Sequence, residues 1–280
     1  MVVFPNCKIN LGLDVLRRRP DGYHDLRTVF VPVGWCDILE AVPLPPGSDS
    51  RLTVTGNRCD CPVEKNLVVK ALRALEAYTG RELPVDIFLH KVIPDGAGLG
   101  GGSSDAAFML MLLNEMYGLG LPADTLAGIA AGIGADCAFF IYNRPMLGTG
   151  TGATLTPVDI PGFKGCDIAV VKPEGSVSTR QAYSGVTPAE VDTPAAYEVD
   201  PQRWASCLKN DFETSVCMQL PAVRETMDKL AGLQPLYIQM SGSGSAVFAI
   251  FKEGCGPERE LLQTIFPDLA VYAGKLDFAT

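Results

Sequence analysis

The chain has 280 residues, 47% apolar and 20% charged, which suits a globular enzyme with one large core or two modest ones. A formal net charge of −9 argues against a general nucleic-acid or bilayer surface, so a polyanionic ligand must meet local cations such as Lys8, Lys91 or the Arg17-Arg18-Arg19 run. Two histidines exclude a His-rich zinc centre; nine scattered cysteines, of which only Cys59 and Cys61 lie close, show no metal-ligand spacing.

Scattered thiols fit a reducing compartment. Lys8 and Asn10 interrupt any apolar leader, and the longest apolar run, 106–113, is too short for a bilayer span. The expectation is a soluble, cytoplasmic protein with neither nucleic-acid nor membrane partners.

Residues 2–15 alternate, with Cys7, Ile9, Leu11 and Leu13 on one side and Asn6, Lys8, Asn10 and Gly12 on the other. This predicts a half-buried strand. Asp21-Gly22 predicts a turn, 26–33 and 35–42 further strand, 43–50 a loop, and 51–55 a short strand. Apolar residues recur at helical spacing over 66–78, and Gly80 supplies the stop. A strand over 85–93 then leads directly into a glycine-rich run.

After that run the pattern predicts a helix from Ser104 to Tyr117, a break over 118–122, a weaker helix over 124–133 and a hairpin over 146–158. The composition resets at Asp167. A strand over 168–172, a long polar loop to about 201, two helices and a strand over 236–240 follow. The turn Ser241-Gly-Ser-Gly-Ser245 leads to a strand over 246–251, a helix and a last strand near 269–272. Two α+β domains are expected, 1–159 and 160–280.

The run itself reads Pro94-Asp-Gly-Ala-Gly-Leu-Gly-Gly-Gly-Ser-Ser104. Glycines remove Cβ atoms and permit positive φ, so successive N–H groups can converge on one anion. Ser103 and Ser104 are suitable N-caps, and a helix N-terminus after such a loop is a phosphate seat. Gly96-x-Gly98-x-x-Gly101 also fits the dinucleotide fingerprint, but a second helix follows the first, so the required βαβ crossover is missing. No lysine follows the glycines, and no His-Arg-Asp or Asp-Phe-Gly element exists. A bare flexible turn is the remaining alternative.

The run resembles the phosphate loop of the GHMP small-molecule kinases. Pro5-Asn-Cys-Lys-Ile-Asn10 and Asp21-Gly-Tyr-His24 are similar to motifs of the branch whose acceptor is 4-diphosphocytidyl-2-C-methyl-D-erythritol. Ile133-Gly-Ala-Asp-Cys137, Val170-Val-Lys-Pro173 and Ser241–Ser245 match in type and order, so the likeness covers nearly the whole chain. It implies a two-domain α+β GHMP kinase fold: an N-terminal domain like domain 2 of ribosomal protein S5, a ferredoxin-like C-terminal domain, and the active site in the cleft between them.

The resemblance further implies ATP as phosphoryl donor and a cytidine-diphosphate-linked alcohol as acceptor, phosphorylated in the non-mevalonate isoprenoid route. It assigns Asp136 as general base and Lys8 as the cation at the reacting hydroxyl. ATP contacts are expected from Pro94, Asp95, Gly96, Ala97, Gly98, Leu99, Gly100, Gly101, Gly102, Ser103 and Ser104, with Lys91 and, at adenine, Asn66. Substrate contacts are expected from Asn10, Tyr23, His24, Thr179 and Tyr183, with His24 reading cytosine between the two tyrosines.

Read from the residues alone, Asp136 also suits an Asx turn, Lys8 a surface strand and Asn66 a helix N-cap. Asn10 can bond substrate, orient Lys8 or simply satisfy a neighbouring strand. No carboxylate in the motifs stands out as a Mg²⁺ ligand, so the ion is expected to travel mainly on ATP and water, with no metal site. A kinase for homoserine or a mevalonate, or a silent nucleotide sensor, are the competing readings.

Overall fold

The structure, a computed structural model, describes residues 1–57, 61–189 and 203–278. Cys59 and the end of the polar loop expected to run to about 201 lie outside those residues. The chain divides into two compact units, each assembled from separate segments, where the sequence pattern placed one cut at 159/160. One unit gathers 1–7, 35–95 and 100–143; the other gathers 8–34, 96–99 and the described residues of 144–280.

The first unit holds a four-stranded sheet in the order Val2–Val3, Ile38–Pro43, Val85–Lys91, Arg51–Gly56, with the last pair parallel. The strand Val85–Lys91 alternates cleanly: Val85, Ile87 and Leu89 face the core while Phe88 and His90 face out. Helix Gly101–Met116 packs on strand Ile38–Pro43 and on helix Leu67–Thr79. Its buried residues span much of its circumference, as suits a helix enclosed by other elements. Gly80 ends Leu67–Thr79 at φ 64°, its N–H donating to the Glu76 carbonyl.

Within its own residues, the second unit carries one sheet in the order 8–18, 24–34, Met146–Gly150, Thr154–Pro157. Another, wholly antiparallel, runs Tyr237–Met240, Val247–Phe251, Asp167–Lys172, Ala270–Lys275. Helices Glu213–Gln219, Pro221–Ala231 and Arg259–Ile265 supply Val216, Val223, Leu230 and Leu262 to a core shared with Val247, Ala249 and Phe251. Leu13 ties the first of these sheets to the segment 209–211 through N–H to the Lys209 carbonyl and C=O from the Asp211 N–H.

Three local expectations are corrected. Strand Asn6–Arg18 is buried on both faces from Asn6 through Val15, so alternation here separates polar from apolar contacts rather than water from core. The loop helix starts at Gly101, not Ser104, because Gly100 adopts φ 71° and acts as its N-cap residue. The polar stretch after Lys172 contains a helix, Thr179–Ser184, closed by a reciprocal Ser178/Gln181 capping box. A short apolar helix, Cys137–Tyr142, also forms directly after Asp136.

Candidate active site

In the second unit, the middle of the glycine loop is fastened to two other segments. Gly96 and Gly98 take φ of 59° and 74°, the left-handed region open to glycine. A Cβ on Gly98 would overlap the Ser241 carbonyl, so only glycine allows the backbones this close. The Ala246 N–H donates to the Ala97 carbonyl and the Ser241 hydroxyl to the Gly98 carbonyl, at 3.0 and 2.9 Å. The Ser241–Ser245 turn is therefore both a hairpin connection and a clamp on the loop.

Lys8 reaches the same carbonyl. Its backbone N–H donates to Leu99 and its Nζ to Gly98, both at 2.9 Å, while Nζ also donates to Asn10 Oδ1 at 2.6 Å. The ring of Phe30 centres 5.4 Å from that nitrogen. Lys8 and Asn10 are both buried, which replaces the surface-strand reading of Lys8 with an interior cation. Asn10 here orients the lysine. The side chains of Ala97 and Leu99 are buried, so these two residues can offer a ligand only backbone.

The residues expected at the acceptor also sit in this unit. His24 opens strand His24–Cys36, half-buried, and its ring stacks on Tyr183 with centroids 4.7 Å apart and planes 19° apart. Phe212 meets Tyr183 edge-on at 4.7 Å, fixing the tyrosine from another side. Tyr23 is exposed, its N–H bound by the Asp21 carboxylate. The Thr179 hydroxyl lies 3.3 Å from that of Ser243. Arg17 and Arg19 pair with Asp25, which they hold below the usual carboxylate range, so that arginine run braces a turn.

The first unit carries the loop's two ends. Gly102 lies against Leu67, where Asn66 caps helix Leu67–Thr79 by accepting the Val68 N–H at 2.9 Å. Ser103 is half-buried, whereas Ser104 is fully buried with a hydroxyl that has no hydrogen-bond partner. Ser104 is the fourth residue of helix Gly101–Met116, and its side chain is turned into the interior. Asp136 is half-buried at the start of Cys137–Tyr142. Its neighbour Gly134 places its Cβ position 3.8 Å from the Ser103 hydroxyl, next to the loop's exit. The backbone there is αR with no side-chain cap, against the Asx-turn alternative.

Lys91, also expected at ATP, lies in the first unit. Its ammonium is buried and bound by Asp37 and, at 2.6 Å, by Asp105. Burial opposes its charge, but the two carboxylates outweigh burial and raise its pKa above the ordinary value. Burial pushes Asp105 up to about 7 despite the lysine. Asp37 also accepts the N–H groups of Val92 and Ile93, at 2.5 and 2.8 Å. Lys91 lies beneath Gly101, whose Cβ position is 3.4 Å from Nζ, so it braces the loop from inside. Neither Asp37 nor this pairing was legible in the motifs, because the partners lie 54 and 14 residues away.

No cluster of three or more His, Cys, Asp or Glu able to hold a metal occurs among the described residues, and none of their helices is long and apolar enough to cross a membrane.

The positive-φ glycine loop runs directly into helix Gly101–Met116. Residues 66–144 match the family described as GHMP kinases N terminal domain. The fold is shared with a homoserine kinase from Cytophaga hutchinsonii at TM-score 0.70 and 16% identity, covering 98% of this chain and 96% of that one.

Full-length relatives narrow the class. A 4-diphosphocytidyl-2-C-methyl-D-erythritol kinase of Parabacteroides distasonis is 46% identical over 280 residues, covering 99% of this chain and all of the relative. One from Bacteroides fragilis is 45% identical over 272 residues, covering 95% and 96%. A crystal structure of 4-(cytidine 5'-diphospho)-2C-methyl-D-erythritol kinase superposes at TM-score 0.79 with 30% identity over the whole of both chains. The chain belongs to the 4-diphosphocytidyl-2-C-methyl-D-erythritol kinase family.

Proposed function

We propose that the protein transfers the γ-phosphoryl group of ATP to the 2-hydroxyl of 4-diphosphocytidyl-2-C-methyl-D-erythritol, a step of the non-mevalonate isoprenoid route. One observation carries the mechanism beyond family membership: the Gly98 carbonyl of the phosphate loop accepts from Lys8 Nζ and from the Ser241 hydroxyl, each at 2.9 Å. The cation for the acceptor end is thereby fixed to the loop that would seat the donor.

Phosphoryl transfer demands positioning and charge stabilisation more than covalent chemistry. Loop N–H groups between Gly96 and Ser103 hold the phosphates, and the Lys8 ammonium stabilises the developing alkoxide. Asp136 takes the hydroxyl proton. Asn66 meets adenine through the amide nitrogen of its carboxamide, its oxygen being engaged at the helix cap. Lys91 supports the loop without touching ATP. Mg²⁺ carried on ATP would supply neutralisation of phosphate charge, and the Ser103 hydroxyl is the group of this chain that would help hold it.

For the acceptor, a cytosine bonded edge-on to His24 lies in the imidazole plane and shares the face of Tyr183, since those two rings are nearly parallel. Tyr23 covers the other face, and Thr179 contacts the remaining part of the substrate. Eight free cysteines among the described residues support a reducing, cytoplasmic setting.

The test is a phosphorylation assay with ATP and Mg²⁺, comparing 4-diphosphocytidyl-2-C-methyl-D-erythritol with homoserine and mevalonate. Turnover only with the cytidine compound is expected. Comparable turnover with either other alcohol would overturn the assignment.

A further inference from the structure

We infer that Thr28 is a positioning residue for Lys8: its hydroxyl, together with the ammonium itself, locks the Asn10 carboxamide with its oxygen toward Lys8. The inference rests on the reading of Lys8 as the cation at the reacting hydroxyl. Thr28 belongs to no motif, lies on strand His24–Cys36, and is 1% exposed; Lys8 and Asn10 are 3% and 2% exposed, so bulk water has little access to their contacts.

The polarity of the network follows from donor and acceptor rules. The Gly12 carbonyl can only accept, and Thr28 Oγ1 donates its single proton to it at 2.5 Å. Toward Asn10 that oxygen can then only accept, and it does so from Nδ2 at 3.1 Å. The carboxamide must consequently turn Oδ1 to the other side, where it accepts from Lys8 Nζ at 2.6 Å. At that end the ammonium can only donate, so both ends demand the same orientation. Reversal would set an NH₂ against the ammonium and two acceptor oxygens against each other. Gly12 is itself held, its N–H bound to Gln239 Oε1 at 3.0 Å and its φ at 62°. Threonine suits the position because its β-branched side chain restricts χ1 on a strand.

Thr28→Val keeps the shape and deletes the proton that sets the polarity. Loss of Lys8 alignment should lower kcat by about a hundredfold, the scale of a small misplacement at a reacting centre. The KM for both substrates and the Kd for a fluorescent ATP analogue should stay near wild type. Thr28→Ser should restore most of kcat. In an Asn10→Leu background, Thr28→Val should cost nothing further, because Thr28 acts through Asn10; additive losses would mean a merely structural role.

Thermal unfolding identifies a variant that has lost its fold, and Thr28→Ala then replaces Thr28→Val in the same cycle. Wild-type kcat in both variants, or failure of Thr28→Ser to rescue, overturns the inference. Lys8→Met separates the two levels. If it retains full turnover, the reading of Lys8 fails; if it abolishes turnover while Thr28→Val does not, only the role of Thr28 fails.

Discussion

Two lysines are buried among the described residues, and each is bound by different groups within its own unit. Within its own unit Lys8 is held by two neutral oxygens, of Asn10 and Gly98. Lys91 is held by two carboxylates, of Asp37 and Asp105. Backbone and amide oxygens orient an ammonium, whereas a buried carboxylate pair also neutralises it and makes it part of the scaffold. The difference separates a lysine fastened to the glycine loop from one fastened to the scaffold beneath it. Lys8 ties its strand to the glycine loop through the Gly98 carbonyl, and Lys91 keeps a strand, a loop and a helix in register.

Removing each charged partner should break that comparison in opposite ways. Asp136→Asn should lower kcat by about 10²–10⁴ with little change in Tm, a general-base loss checked by steady-state assay and thermal unfolding. Lys8→Met should lower kcat by about 10²–10³. Lys91→Met should instead remove about 3–5 kcal/mol of stability, because two buried carboxylates lose their counter-ion. Denaturant titration measures it. A Lys91→Met protein that folds normally but has lost ATP affinity would return Lys91 to the nucleotide site.

A smaller effect is expected at the acceptor end. His24→Ala removes an edge-on partner worth about 0.5–1.5 kcal/mol for a neutral hydrogen bond, so the acceptor KM should rise about 2- to 13-fold with kcat nearly unchanged. Equal changes for the cytidine compound and for ATP would contradict a role confined to the base.

Local signals were legible and long-range pairings were not. The glycine loop announced itself because φ > 0 and close backbone approach select glycine residue by residue, and Gly98 against Ser241 shows why. Asn66 was readable as a cap from its position before an apolar periodic run. The start of helix Gly101–Met116 was misplaced because glycine is a poor helix former, while the left-handed Gly100 that caps it has no side-chain signature. Alternation along Asn6–Arg18 revealed two faces but could not say that the polar one is covered. Thr28 and Asp37 act through partners 18 and 54 residues away, and such pairings appear only once strand register is known.

The subtlest prediction concerns the scaffold lysine's surplus acid. Asp105 is pushed up to about 7, chiefly by burial, with Lys91 opposing the rise. In the unfolded chain an aspartate releases its proton near pH 3.9, so between about pH 4 and 7 the native state binds more protons than the unfolded one. Stability from this group is therefore present at low pH and lost as pH rises through that window. The raised pKa of Lys91 acts above the ordinary lysine range, outside the interval. Asp105→Asn removes the titration while Asp37 still balances Lys91. Relative to wild type, the variant should gain about 2–4 °C in Tm between pH 5 and pH 8 for each kcal/mol recovered. Parallel Tm curves would mean that Asp105 is ionised across the whole range, and Lys91 would then sit between two full negative charges.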